Sequence, residues 1–246
     1  MTGPRARGAV RPALRRTPLP SAAVLAEDRA RALALTPVSR ETLARLDRFV
    51  AALFDWQSRV NLIAPSTAPQ VWTRHISDSL QLLALAPEAR LWADLGSGAG
   101  FPGLVIACAL AERPGACVHL VESNGRKAAF LQAAVRAASV PAVVHGVRAA
   151  EYVATAGPVE IVTARALAPL SDLLSMAYPL FRKGAVGLFP KGRTADDELT
   201  EAGKWWNIDA ALTVSRTDPN ARIVVVRGAR RRDGAENAKN AKHSRP

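Results

Sequence analysis

The chain predicts an α/β fold: a mostly parallel, doubly wound sheet of seven strands that ends in an antiparallel hairpin, with a helical extension in front of it. Three observations carry this. After Pro87, short apolar runs alternate with helical stretches, the pattern of strands joined by crossover helices. The last two strand-like runs are joined by the turn-rich link Arg216-Thr-Asp-Pro-Asn-Ala221 and no helix. The stretch before Pro87 repeats its apolar residues only at helical spacing.

Thr36-Pro37 reads as an N-cap followed by proline at the first helical position. Leu43, Leu46, Phe49, Leu53, Trp56 and Val60 then recur at steps of three and four, which places them on one helix face. A second helix is expected over 68–85, with Val71, His75, Ile76, Leu80 and Leu83 on related faces. Strands are expected at 91–95, 118–121, 142–144, 159–163 and 185–189, with helices at 103–111, 126–138 and 170–181. The closing hairpin pairs 212–215 with 222–226. No repeat is visible at solenoid periods.

The charge of this 246-residue chain is its unusual bulk property. It carries 33 Lys plus Arg against 21 Asp plus Glu, a formal +12. That excludes an acidic disordered chain and makes a polyanion the first partner to consider. Residues 1–20 hold five arginines and no acid, and residues 227–246 are equally basic on balance, so the core between them is close to neutral. Both ends are poor in large apolar residues and are expected to be disordered basic tails. The expected divisions are a tail over 1–35, a helical segment over 36–87, a cofactor domain over 88–227 and a tail over 228–246.

The longest apolar run, near 101–111, contains Pro102 and Gly103 and is far short of the roughly 20 residues that span a bilayer. No secretory leader is read at the N-terminus, although its arginines resemble part of an organellar transit peptide. Two cysteines cannot build a disulfide framework, and no Cys/His cluster has zinc spacing. The expectation is a cytoplasmic protein without metal and without a membrane, acting as a monomer.

The most informative stretch is Asp94-Leu-Gly96-Ser97-Gly98-Ala-Gly100-Phe101-Pro102-Gly103. It follows a strand and opens a helix, as a cofactor loop must. Gly98-Ala-Gly100-Phe-Pro-Gly103 matches the dinucleotide pattern literally. The wider string is acid-x-Gly-x-Gly-x-Gly, the form used for S-adenosylmethionine. Asp94 would face the cationic end of that cofactor and would sit badly beside a diphosphate. Pro102 supplies no N–H for a phosphate. Glu122 closes the second strand, where the cofactor ribose passes, and its oxygens can accept from the two hydroxyls. That residue does not separate the two cofactors.

Set beside these motifs, the chain resembles the RsmG (GidB) family of bacterial 16S rRNA 7-methylguanosine methyltransferases. Further segments match in order: Asn61-Leu62, Arg74-His75-Ile76-x-Asp78-Ser79-Leu80, Lys127-x-x-Phe130-Leu131, Arg165-Ala166 with Pro169-Leu170, and Lys191-Gly192. The resemblance covers about residues 36–227. It implies a class I S-adenosylmethionine-dependent fold and methyl transfer to N7 of a guanine in the 530 loop, guanine 527 in the family's rRNA numbering. It implies 16S rRNA or a small-subunit particle as partner. It implies cofactor contacts at Gly96, Phe101, Glu122, Ala149, Ala150 and Arg165. The family commonly has Asp where this chain has Glu122. The acid after Arg148 is displaced by one residue, in Arg148-Ala149-Ala150-Glu151.

Arg148, Arg165 and Lys191 fall at the carboxyl edge of the sheet, where ligands bind in such folds. They are candidate RNA contacts, and the first two are candidates for catalysis by positioning. Each could instead be a surface ion pair. His75 and Asp78 could form an acid–base pair, but a structural or lid role is expected. N7 has a free lone pair, so its methylation needs no base. Trp205-Trp206 could stack a splayed base or pack inward. A cofactor-binding RNA protein without turnover, or a dinucleotide-dependent oxidoreductase, are the other readings.

Overall fold

A computed structural model describes residues 19–232. The tails expected at 1–35 and 228–246 lie largely outside the described residues. Where they are described, they are ordered. Helix α1, Ala22–Leu35, occupies the inner part of the expected N-terminal tail. The Ser21 hydroxyl accepts from Val24 N at its start, and Ala- and Leu-rich composition favours the helix. What docks it is a buried carboxylate. Asp28 is fully buried and accepts from Trp72 N at 2.8 Å, Thr73 N at 3.2 Å and Thr73 Oγ1 at 2.6 Å.

Helix α2, Arg40–Gln57, begins three residues after the expected point. Its N-cap is Ser39, whose side chain accepts from Thr42 N at 3.1 Å. Thr36 instead closes α1, its N–H and hydroxyl both donating to Ala32 O. The apolar stripe of α2 is as expected, with Leu46, Phe49 and Leu53 fully buried.

The single helix expected over 68–85 is broken into short turns. A 3₁₀ turn at Pro65–Gln70 is followed by a π-helical stretch at Val71–Ser77, one α turn at Asp78–Leu80 (α3), and another 3₁₀ turn at Gln81–Leu85. Pro69 lacks an N–H, and Asp28 takes those of Trp72 and Thr73, so regular α-bonding cannot run through this junction.

The sheet follows in the order β3-β2-β1-β4-β5-β7-β6. Its parallel strands are β1 Leu91–Leu95, β2 Cys117–Val121, β3 Ala142–His145, β4 Ile161–Thr163 and β5 Val186–Lys191. The antiparallel pair is β6 Trp206–Val214 and β7 Arg222–Arg231. The hairpin is therefore longer than expected, and β7 runs past the domain end placed at 227. Helices α4 Gly103–Leu110 and α5 Gly125–Ala138 share one core with α2 and Trp92 of β1. Helices α6 Ala149–Thr155, α7 Leu170–Phe181 and α8 Ala195–Gly203 lie in a second core with Ala93 and Leu95. Helices α6 and α8 are additions to the expected set. Strand order reverses between β1 and β4, so the crevice for a ligand opens at their carboxyl ends.

Asp28→Ala should lower stability by at least ~1–3 kcal/mol, because it leaves buried donors unpaired. Asp28→Asn keeps an acceptor and should recover part of the loss. Urea unfolding of the two variants measures the difference, and equal stability of Ala and wild type would contradict the docking role.

Candidate active site

The site begins where β1 ends. Gly96, Gly98 and Gly100 have φ of 72°, 53° and 88°, a region that favours glycine. Asp94 is fully buried, and its Oδ2 accepts from Gly103 N at 3.0 Å. Gly103 is the first residue of α4, and a Cβ there would lie 2.6 Å from Asp94 Cβ and 2.5 Å from Leu120 Cδ2. The missing side chain is what lets the helix meet the strand. The Ser97 hydroxyl donates to Asp94 O at 2.9 Å. Glu122, just past β2, accepts from Gly98 N at 2.9 Å and Asn124 N at 2.7 Å. Two carboxylates thus hold the loop from opposite ends.

This arrangement bears on the choice of cofactor. The N-terminus of α4 already faces the Asp94 carboxylate, so a diphosphate would meet negative charge where a dinucleotide fold offers N–H groups. A cationic ligand fits instead. Asp94 Oδ1 is buried and has no hydrogen-bond partner among the described residues. Burial pushes the Asp94 carboxyl up to about 6, against the pull of Gly103 N–H and Arg165.

Phe101 leaves the loop into a stack. The His75 ring lies on it at 4.9 Å between centroids and 21° between planes. The Arg165 guanidinium lies 5.3 Å from the centre of the same ring. Arg165 Nη1 is 3.8 Å from Asp78 Oδ2 and 3.5 Å from Arg74 O. His75 Nε2 is 3.1 Å from Thr67 Oγ1. Burial, reinforced by Arg165 and Arg74, pushes the imidazole down to about 3, so it is neutral at working pH. Asp78 bonds Gln81 Nε2 at 2.9 Å and Thr217 Oγ1 at 2.8 Å. His75 and Asp78 are therefore not brought together as an acid–base pair.

Beyond Arg165 opens a cavity of about 780 Å³, lined by 165–169, the end of β5, the β6–β7 turn, and Arg74 and Asp78. Ala166, in this lining, has φ 54°, a strained value for a residue with a side chain. Leu167 lies over the loop, with Cδ1 2.7 Å from where a Gly96 Cβ would be.

The remaining candidates separate. Ala149 and Ala150 open α6, with Arg148 at its N-cap position. The Arg148 side chain is exposed and has no ion pair among the described residues. Lys191 is not a free cation. Its Nζ donates to Ala168 O at 2.8 Å and Glu198 Oε2 at 2.7 Å, and its side chain is 9% exposed. Trp206 packs inward at 2% exposure while Trp205 is half exposed, and neither lines the cavity. Cys108 is buried, and burial pushes its thiol up to about 12, the opposite of an activated nucleophile. Glu198 and the Asp78–Thr217 contact had no signal in the sequence. Among the described residues, no group of three or more His, Cys, Asp or Glu could hold a metal ion, and no helix is long and apolar enough to cross a membrane.

Sheet order, the carboxylate-held glycine loop and the cavity beside it define a class I methyltransferase fold, whose cofactor is S-adenosylmethionine. Solved structures share this fold. A putative O-methyltransferase from Klebsiella pneumoniae superposes with a TM-score of 0.53 at 13% identity, covering 82% of this chain and 96% of that one. An O-methyltransferase from Bacillus cereus, in complex with SAH, superposes at 0.52 with 16% identity, covering 83% and 98%. The chain belongs to the family of rRNA small subunit methyltransferase G (GidB), whose model matches residues 42–222. A Ribosomal RNA small subunit methyltransferase G from a Bradyrhizobium species is 58% identical over 204 residues, 82% of this chain and 92% of that protein. One from Methylorubrum extorquens is 54% identical over 205 residues, 83% and 97% respectively.

A cationic cofactor held against the raised Asp94 carboxyl would bind with a pH dependence. A cationic ligand favours the ionised carboxylate, so below about 6 binding must first expel a proton. S-adenosylmethionine affinity should fall toward tenfold per pH unit below that point. Calorimetry between pH 5 and 8 should show it, and Asp94→Asn should be weaker at pH 8 and flat with pH. An unchanged slope in Asp94→Asn would assign the dependence to another group.

Proposed function

We propose that this protein transfers the methyl group of S-adenosylmethionine to N7 of a guanine in the 530 loop of 16S rRNA, guanine 527 in the family's numbering. The observation that carries this reading is the state of Asp78 and Glu198, which line the cavity, and of His75, stacked on Phe101 beside it. His75 is held neutral, Asp78 is engaged by Gln81, Thr217 and Arg165, and Glu198 is engaged by Lys191. Such a site suits a nucleophile that needs no deprotonation, and N7 of neutral guanine is one. The resemblance of the Asp94–Gly103 and Arg165–Leu170 segments to the rRNA methyltransferases supports the same acceptor.

The residues that would hold the cofactor are Asp94, Gly96, Ser97, Gly98, Gly100, Phe101, Glu122, Ala149, Ala150 and Arg165. When bound, S-adenosylmethionine supplies an electrophilic methyl group. The chain supplies orientation: Asp94 faces positive charge, Glu122 keeps a free lone pair on each oxygen for ribose hydroxyls, and the loop glycines admit a close backbone approach. The product base carries positive charge, and the Asp78 and Glu198 carboxylates on the cavity wall would offset it as it develops. Arg165 bridges the two halves of the site, resting on Phe101 of the loop and lining the cavity. Arg148, exposed at the start of α6, would meet RNA phosphate. With small-subunit RNA as substrate, naked or in a particle, the reaction would run in the cytoplasm.

A deletion strain should lose one N7-methylguanine from the 530 loop, read by mass mapping of its 16S rRNA, and regain it on complementation. A mark that persists would rule the reading out, and a loss at another nucleotide would move it. Purified protein with labelled S-adenosylmethionine and small-subunit particles should incorporate label; none on any RNA would favour binding without turnover. Arg165→Ala should lower kcat/KM about 10–100-fold. Arg148→Ala should mainly raise KM for RNA, with a smaller salt dependence.

A further inference from the structure

We propose that Glu198 and Lys191 read the Watson–Crick edge of the target guanine and so select that base. The inference rests on the cavity being the guanine pocket.

The cofactor loop leaves the end of β1, and the cavity lies at the carboxyl ends of β4 and β5. Neighbouring strands lie about 4.8 Å apart, so β5, two strands away, is about 10 Å from β1. A purine lying between them with N7 turned toward β1 directs its N1 side toward β5. Lys191 is the last residue of β5, and Glu198 reaches the same wall from α8.

Their hydrogen bonds leave a defined remainder. The Lys191 ammonium gives one donor to Ala168 O and one to Glu198 Oε2. A third N–H is uncommitted. Glu198 Oε2 accepts from Leu170 N at 2.8 Å and from Lys191. Oε1 accepts only from Thr194 Oγ1, at 3.3 Å. The wall therefore presents a cationic donor beside a carboxylate acceptor. Guanine presents the complement, the O6 acceptor beside the N1–H donor. Adenine presents the reverse, an N6 amino group beside an N1 lone pair, and would set like against like at both positions. Ala168 O and Leu170 N belong to one backbone segment after β4, so both side chains are fixed before RNA arrives, and little ordering is left to cost affinity. Asp78, the other carboxylate of the cavity, is less suited: Oδ1 is engaged by Gln81 and Thr217, and Oδ2 faces Arg165 next to the cofactor loop.

The test uses small-subunit particles whose 16S RNA carries guanine, inosine or 2-aminopurine at the target position, with N7 methylation followed by mass spectrometry. Inosine keeps O6 and N1–H, so wild type should methylate it within about tenfold of guanine. 2-Aminopurine lacks O6 and has an acceptor at N1, so its kcat/KM should fall at least ~100-fold. Glu198→Gln should lose about 10–100-fold on guanine and narrow the gap to 2-aminopurine, because its amide N–H can donate to N1. Its S-adenosylmethionine affinity should be that of wild type. Equal slowing on all three bases would show that Glu198 merely holds Leu170 and would overturn the proposal. So would equal wild-type rates on guanine and 2-aminopurine, a result that needs no variant to fold. Wild type that leaves N7 of the unmodified guanine untouched while methylating another atom would remove the guanine-pocket reading, and this inference with it.

Discussion

Two buried carboxylates give this fold its working end. Asp94 and Glu122 close neighbouring parallel strands, and each accepts backbone N–H groups of the glycine loop or of the turn beside it. A loop of three glycines at positive φ has high chain entropy, and these carboxylate bonds, with those of Gly96 N and Ser97 N to Val121 O, hold it in one shape. The close meeting of α4 and β1 at Gly103 follows from the same contact. So does the position of Phe101, on which His75 and Arg165 lie. Remove the Asp94 contact and the junction of loop and α4, from which Phe101 enters the stack, loses a buried support. The cost of burying Asp94 is visible in its raised carboxyl, and a cationic ligand is the natural means of offsetting it.

The second half of the site depends on a different kind of joint. Gln81 accepts from Arg216 N at 2.8 Å and donates to Ser215 Oγ at 3.1 Å, while Asp78 accepts from Thr217. Those bonds tie the helical extension to the turn of the closing hairpin. Between the two, the segment after β4 carries Arg165, the strained Ala166, Leu167 over Gly96 and the backbone atoms that fix Lys191 and Glu198. This one stretch touches the cofactor loop at one end and the far wall of the cavity at the other.

Much of this was legible in the sequence, for physical reasons. β1 has the limits its apolar run suggests, Glu122 follows the apolar run of β2 directly, and Asp94 stands out as an acid within the last two residues of β1. What escaped lacked an apolar stripe. Helix α1 buries only Asp28 and Ala32, and its anchor is a carboxylate that hydropathy reads as surface. Helix α8 is acidic and buries only Ala195 and Ala202, too little for a 3.6-residue period to show. The break in the second helix reflects hydrogen bonds from a residue 44 positions earlier, which no local window contains. Lys191 stands at the edge of the sheet, as its place in the chain suggests, but its engagement by Glu198 is a tertiary fact, and Glu198 itself sits in a run of acids that reads as solvated surface.

The bond between residues 78–81 and 215–217 has a consequence for the order in which the protein becomes competent. A chain leaving the ribosome has all three strands of the cofactor half by residue 145. The opposite wall of the cavity waits for a turn some 70 residues later. A chain stopped before that turn has the residues of the glycine loop but lacks the far wall of the cavity. By the wiring of the fold, the cavity is complete only once the chain has passed the turn at 215–217, and the helical extension made first is tied down by residues made late.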